Sequence, residues 1–415
     1  MSRRPFLAAA AGLGVLIVLW ARPATAPLSP IEELGKRLFF DRNLSAPAGQ
    51  ECAVCHGPEV GYTGPSERFN KNGGVYEGAV KGRFGNRRPP AASYAGWNPK
   101  LRVEAQGEFV GGLFWDGRAT GELLGDPLAE QAMGPFLNPL EQNMADAKSL
   151  VATVKKSAYA DLFEKVFGSG SLDREPGAVY ADIGRAIAAY ERSAEVNPFD
   201  STFDDFWRAA AAKGLKVEAI GPANEKDFRG LGLSDRQVRG LALFATKGQC
   251  ANCHVLAPVA EGLPPIFADF KYDNLGIPRN PANPFYGQDK AFNPDGRAWV
   301  DTGLGGYLRT VERFRPLADA NMGKHRTPTL RNVDKRPSPG FVKAYMHNGY
   351  FKSLKDVVHF YNTRDVAGAG WPAPEVAANV NTAEMGDLGL SADEEAAIVE
   401  FMRALTDRRP DGKQY

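Results

Sequence analysis

Two pentapeptides hold every cysteine of this 415-residue chain: Cys52-Ala53-Val54-Cys55-His56 and Cys250-Ala251-Asn252-Cys253-His254. Thiols at this spacing can add across the two vinyl groups of a porphyrin. A histidine directly after the second thiol can then reach under the ring to ligate the iron. Zinc would want a fourth ligand and gives no reason for a histidine to follow the second cysteine both times. A pair of short-loop disulfides leaves the histidines equally unexplained. The pattern therefore implies two covalently attached c-type haems, with His56 and His254 as proximal iron ligands.

An iron with an open sixth position reacts with peroxide, and a closed one moves electrons. The second half of the chain repeats the first, and the repeat bears on this choice. Lys36-Arg37-Leu38-Phe39 answers Leu241-Ala242-Leu243-Phe244, and Arg88-Pro89 resembles Arg326-Thr327-Pro328. Phe114-Trp115-Asp116-Gly117 followed by Leu128 matches Met346-His347-Asn348-Gly349 followed by Leu354. Such self-similarity implies duplication of one haem-binding unit. Seven residues beyond the matched leucines stand Pro135 and Tyr361. Proline has no ligating atom, whereas tyrosine offers a phenolate oxygen. By this symmetry the haem on His56 is open and Tyr361 closes the haem on His254. Met385, His325, His347 and His359 are the alternative ligands. No histidine lies between Gly57 and Cys253, so none within the first half can close the first iron.

Helices must position these groups. Ser29-Pro30-Ile31-Glu32 reads as a capping box with proline at the first helical position, opening a helix to about Phe40. Apolar positions recur at helical spacing over about 145–167 and 178–194. Ser234 caps a helix ending near Lys247, and Ser391 caps a last one through Leu405. No stretch alternates as a half-buried strand should. The expected fold class is all-α, two cytochrome c-like haem domains with long irregular loops, over 27–200 and 201–415. The 45 glycines and 30 prolines suit a loop-rich chain packed around apolar macrocycles. Lys213 to Gly232 loses periodicity at the seam, and Gly262 to Gly306 reads as a wrap around the second haem.

Arg3 and Arg4 precede an apolar run from Leu7 to Trp20, and Ala24-Thr25-Ala26 offers a cleavage site. This is the layout of a secretory signal over 1–26, and it sends the mature chain to the periplasm. The run is short for a membrane span. Pro27 directly after the cut leaves an uncleaved N-terminal anchor as the alternative. Fifty basic against 49 acidic residues leave a net charge of +1, which gives no ground for a nucleic-acid partner.

Further motifs carry a family resemblance. Phe114-Trp115-Asp116-Gly117-Arg118, Glu130-Gln131-Ala132, Gly134-Pro135, Asn138-Pro139-Leu140-Glu141, Thr327-Pro328-Thr329-Leu330-Arg331-Asn332 and Tyr345-Met346-His347-Asn348-Gly349 resemble the bacterial dihaem cytochrome c peroxidase family. The likeness covers nearly all of the mature chain. It implies that Trp115 lies between the haems as a relay, and that Gln131 and Glu141 handle peroxide in the distal pocket of the open haem. It also implies a calcium ion between the domains, with Asn86 as the nearest candidate ligand. Typical members close the second haem with methionine and gate the first with a histidine, and both are missing at those positions here. Tyrosine instead resembles the MauG-like branch, whose relatives oxidise residues of another protein. A phenolate stabilises ferric and higher states, whereas a thioether raises the potential. The expectation is a periplasmic enzyme that uses hydrogen peroxide to form a high-valent dihaem state and then oxidises aromatic residues of a partner protein. The alternative is a peroxidase drawing electrons from a small cytochrome c or cupredoxin. A more distant rival is a dihaem electron-transfer protein without peroxide turnover.

Overall fold

In the structure, a computed structural model, residues 27–408 are described, so the signal segment predicted over 1–26 lies outside them. Helix α1 (Pro30–Phe39) starts where its cap predicts, with the Glu32 carboxylate accepting from the Ser29 amide at 2.7 Å. Short α2 (Glu67–Lys71) follows the first haem motif, and α3 (Pro127–Leu137) follows the Trp115 loop. The single period predicted over 145–167 is two helices, α4 (Ala147–Val154) and α5 (Ala160–Phe167). At the break the Val154 carbonyl accepts from both the amide and the hydroxyl of Ser157, at 3.0 and 2.7 Å, in place of the residue-158 amide that a continuing helix would supply. Then come α6 (Pro176–Arg192) and α7 (Thr202–Ala212), with α8 (Asp235–Ala245) before the second haem motif. The chain ends with α9 (Gly303–Thr310), α10 (Leu354–Thr363) and α11 (Ala392–Arg403).

The fold is mostly helical, with two small sheets that the all-α expectation missed. β1 (Arg102–Val103) pairs antiparallel with β2 (Phe109–Val110), and β3 (Tyr272–Asp273) with β4 (His325–Arg326). Two-residue strands are too short to leave an alternating pattern, so the sequence could not announce them.

Each half is organised by one close helix crossing. A Cβ on Gly35 of α1 would stand 1.9 Å from the Ala186 carbonyl oxygen of α6. A Cβ on Gly240 of α8 would stand 1.9 Å from the Ala397 carbonyl oxygen of α11. Only glycine lets either backbone approach so closely. The two glycines immediately precede the matched segments Lys36–Phe39 and Leu241–Phe244, so the repeat is structural as well as textual. One apolar core runs from Leu34 to Val196 and a second from Phe203 to Leu405.

The halves interlock by exchange. The Arg88 amide donates to the His347 carbonyl at 2.7 Å and its Nε to the Met346 carbonyl at 2.9 Å. Reciprocally, the Arg326 amide donates to the Trp115 carbonyl at 2.9 Å and its Nε to the Phe114 carbonyl at 3.2 Å. The long excursion over 262–306 joins in. Asn280 Nδ2 bonds the Gly73 and Asn348 carbonyls, both at 2.8 Å, so this segment braces the junction as well as bordering the second haem site. No helix among the described residues is long and apolar enough to cross a membrane.

Candidate active site

Both haem-motif histidines are held in one tautomer by the backbone. His56 Nδ1 lies 3.1 Å from the Tyr62 carbonyl, and His254 Nδ1 lies 2.8 Å from the Phe267 carbonyl. Tyr62 and Phe267 adopt positive φ (56° and 58°), which turns their carbonyls back toward the rings. With Nδ1 donating, Nε2 carries the lone pair that iron needs. Burial pushes both imidazoles down, His254 to about 4, which keeps them neutral and able to ligate. No disulfide joins the four half-buried cysteines, so each sulfur is available to a porphyrin vinyl group. The carbonyl partners escaped the sequence reading because they stand six residues after His56 but thirteen after His254.

The second site is a cleft whose lining includes Cys250, Cys253, His254, Tyr361 and Met385. These residues fit a covalently held macrocycle: two thiols, one oriented imidazole, and an oxygen or sulfur donor. Tyr361 stands on α10 and Pro135 on α3, each in the helix that follows its half's matched turn. Burial first, and the neighbouring Cys253 and Cys250 next, push the Tyr361 phenol far up, so it stays protonated unless a metal replaces the proton. Met385 is buried in the second core. Of the alternative histidines, His359 is half-exposed and bonds Glu395 at 3.0 Å. His325 and His347 stack with ring centroids 3.6 Å apart, their Nε2 atoms 3.3 and 4.0 Å from Asp301.

In the first half, Gln131 and Pro135 lie four residues apart on α3 and so share one face. Glu141 follows the end of that helix, where Asn138 Nδ2 donates to its carboxylate at 2.9 Å. The carboxylate lies close enough to Cys55 to raise the thiol's pKa, which ties it to the attachment site. Burial raises Glu141 above the usual carboxylate range, while Arg118 and Asn138 oppose the shift. Glu130, beside Gln131, ties the loop that follows Trp115 to this helix. Its carboxylate accepts the Gly121 amide at 2.7 Å and the Leu124 amide at 2.8 Å.

Trp115 is buried at the junction, its indole Nε1 donating to the Arg88 carbonyl at 2.8 Å. The Arg88 guanidinium lies 5.4 Å from the indole ring and near enough to His56 to lower its pKa. Trp115 also lines the His254 cleft. Its counterpart His347 faces it at 6.4 Å. The Asn86 carbonyl accepts from Asn283 of the other half at 3.0 Å. The adjacent Arg87, which sequence reasoning missed, bonds Asp116 at 2.6 Å and Asp301 through two nitrogens at 2.7 Å each. This buried cation holds both carboxyls below their ordinary range. Its only signal in the sequence was an arginine pair beside Asn86.

Two haem-attachment motifs with oriented histidines point to a di-haem class of protein, and residues 29–212 match the family Di-haem cytochrome c peroxidase. The chain is 34% identical to the methylamine utilization protein MauG of Paracoccus denitrificans, over 94% of this chain and 91% of that one. It therefore belongs to the di-haem cytochrome c peroxidase family and carries two c-type haems. It is an oxidoreductase acting on hydrogen peroxide. It is also 27% identical to the cytochrome-c peroxidase IdrP1 of Denitromonas iodatirespirans, over 94% of this chain and 85% of that one. Among solved structures, the diheme peroxidase BthA from Burkholderia thailandensis is similar at 29% identity and TM-score 0.71, covering 94% and 91% of the two chains. A MauG-like protein associated with microbial copper homeostasis shares the fold at 24% identity and TM-score 0.59, over 95% and 96%.

Proposed function

We propose that this peroxidase works in the manner of MauG: equivalents drawn from hydrogen peroxide are shared across both haems and passed to aromatic residues of a partner protein. The observation that carries the reading is Tyr361, on the helix that answers α3, beside Cys250 and Cys253 and in the cleft with His254. A phenolate there favours ferric and higher states over a ferrous reserve. The iron supplies the reaction with peroxide, and the chain does the rest. Glu141 would take a proton from peroxide and return it to the leaving oxygen, a task suited to a carboxyl held above its usual range. Gln131 would orient the peroxide, and Pro135 would offer no atom to compete with it for the iron. Trp115 bridges the two sites. Asn86 remains a candidate calcium ligand beside the Arg87 bridge. The periplasm is the compartment this chemistry suits, since c-type attachment follows export.

One equivalent of peroxide added to the all-ferric protein tests the reading. Prompt loss of both ferric signals, reversed by an added electron donor, is the expected result. A ferric enzyme inert until half-reduced would overturn it in favour of a peroxidase that draws on a small donor protein, with Met385 as the second-haem ligand.

A further inference from the structure

The two halves build the same aromatic triangle at their helix crossings and fill it differently. In the second half Phe244, Phe267 and Phe401 meet with centroids 6.3, 5.2 and 6.0 Å apart. In the first half the corresponding rings are Phe39, Tyr62 and Tyr190, with Phe39 at 6.1 Å from Tyr62 and 5.5 Å from Tyr190. All six side chains are buried. Phenylalanine therefore satisfies this packing, and the two hydroxyls of the first half are not required by it. A buried hydroxyl costs free energy unless it is bonded, so their presence needs a reason.

They are bonded in series. Tyr190 Oη lies 3.1 Å from Glu195 Oε1, to which it donates, and 3.2 Å from Tyr62 Oη, from which it accepts. Glu195 is partly exposed and pairs with Lys36 at 2.7 Å, so the line ends at the surface. At the inner end the Tyr62 carbonyl takes the Nδ1 hydrogen of His56. In the second half the Phe267 carbonyl does the same for His254, and there the line stops.

We propose that Tyr62 and Tyr190 are an outlet that carries oxidising equivalents from the His56 side of the protein to the surface at Glu195. The inference rests on the reading that peroxide reacts at the haem held by His56. In the step, one electron leaves the Tyr190 phenol through Tyr62 toward the peroxide-oxidised centre. The Tyr190 hydroxyl proton passes to Glu195 Oε1, leaving a neutral phenoxyl radical and a carboxylic acid. An aromatic group on a docked protein, or a reductant in solution, then returns the electron and Glu195 returns the proton. The carboxylate matters because an oxidised phenol is a strong acid, and a proton acceptor in hydrogen-bond contact lets both particles leave together. Burial supports this by pushing the Tyr190 phenol far up, so the group is intact before oxidation.

The test uses the full chain with both haems, mixed with one equivalent of peroxide, frozen at intervals and read by electron-spin resonance. The expected result is an organic radical whose hyperfine pattern changes when ring-deuterated tyrosine is incorporated. The signal is lost in Tyr190→Phe and weakened in Tyr62→Phe and Glu195→Gln, while the oxidised haems persist longer in all three. Both phenylalanine variants should fold and load haem, because the second half already uses phenylalanine at these places. Loss of the ferric haem signals with no tyrosine-derived radical, and with the same decay in Tyr190→Phe as in the parent, overturns the outlet alone. Ferric signals that peroxide leaves untouched overturn the underlying reading and the outlet with it.

Discussion

The two halves share a frame and differ in what they put on it. Gly35 and Gly240 set the same crossing, and Tyr62 and Phe267 turn the same carbonyl onto the proximal histidine. On that frame the first half places Pro135 where the second places Tyr361, and Trp115 where the second places His347. Glu141 is half-buried beside the first attachment site with Asn138 at its carboxylate. The lesson is that duplication preserves backbone geometry while a few side chains change, and under the proposed function those changes divide the labour between a reacting iron and a storing one.

The largest effect that would sharpen this division is expected at Glu141. Glu141→Gln should slow the peroxide step by roughly 10²- to 10⁴-fold without disturbing the second haem's spectrum. The parent rate should rise with pH through a pKa above the ordinary carboxylate range, because only the ionised form accepts the proton and burial raises its pKa. Stopped-flow rates against pH check both points; an unchanged acid limb in the glutamine variant would remove Glu141 from the proton path.

Arg87 tests whether the halves can act apart. Replacing it with methionine takes the cation from between Asp116, which keeps Arg118, and Asp301, which keeps the His325 contact, at a cost of about 3–5 kcal/mol. Both carboxyls sit below their unfolded pKa of about 3.9, so their contribution is present above that value and lost as pH falls through the depressed folded values. The junction of the parent should therefore loosen only in strong acid. Denaturant melts at two pH values measure this, and equal midpoints for parent and variant would argue against the bridge.

The shared frame itself can be broken symmetrically. Gly35→Ala and Gly240→Ala should each cost about 1–3 kcal/mol, because either methyl group would overlap a carbonyl of the crossing helix. Calorimetry on the two variants should give similar losses; a large asymmetry would mean the crossings are not equivalent. The subtlest comparison is between Tyr361→Met and Met385→Leu. The first should abolish the phenolate signature of the second haem and make the peroxide reaction depend on prior reduction, whereas the second should leave the ferric spectrum unchanged. The opposite pattern would make Met385 the ligand.

Much of this was legible without coordinates. Haem attachment is local chemistry, with ligand and thiols inside five residues, so spacing alone specified it. Helix starts at Ser29, Ser234 and Ser391 were readable because a capping box satisfies backbone donors within four residues. The repeat was visible because matched turns keep their residue types even where their roles diverge. The break at Ser157 was not, since a helical period survives a turn inserted between two helices that face the same core. Contacts between distant residues were beyond reach. The sequence places Arg87 beside Asn86 but cannot say that it meets residue 116 and residue 301, because that pairing depends on how two cores dock. The exchange of Arg88 and Arg326, the carbonyls behind the two histidines and the Tyr62–Tyr190–Glu195 line all belong to that second kind. Sequence determined which cofactor this protein carries and where it is attached. Tertiary structure decided which groups gather around each haem motif, because hydrogen bonds and burial act over ångströms in space and not over positions in the chain.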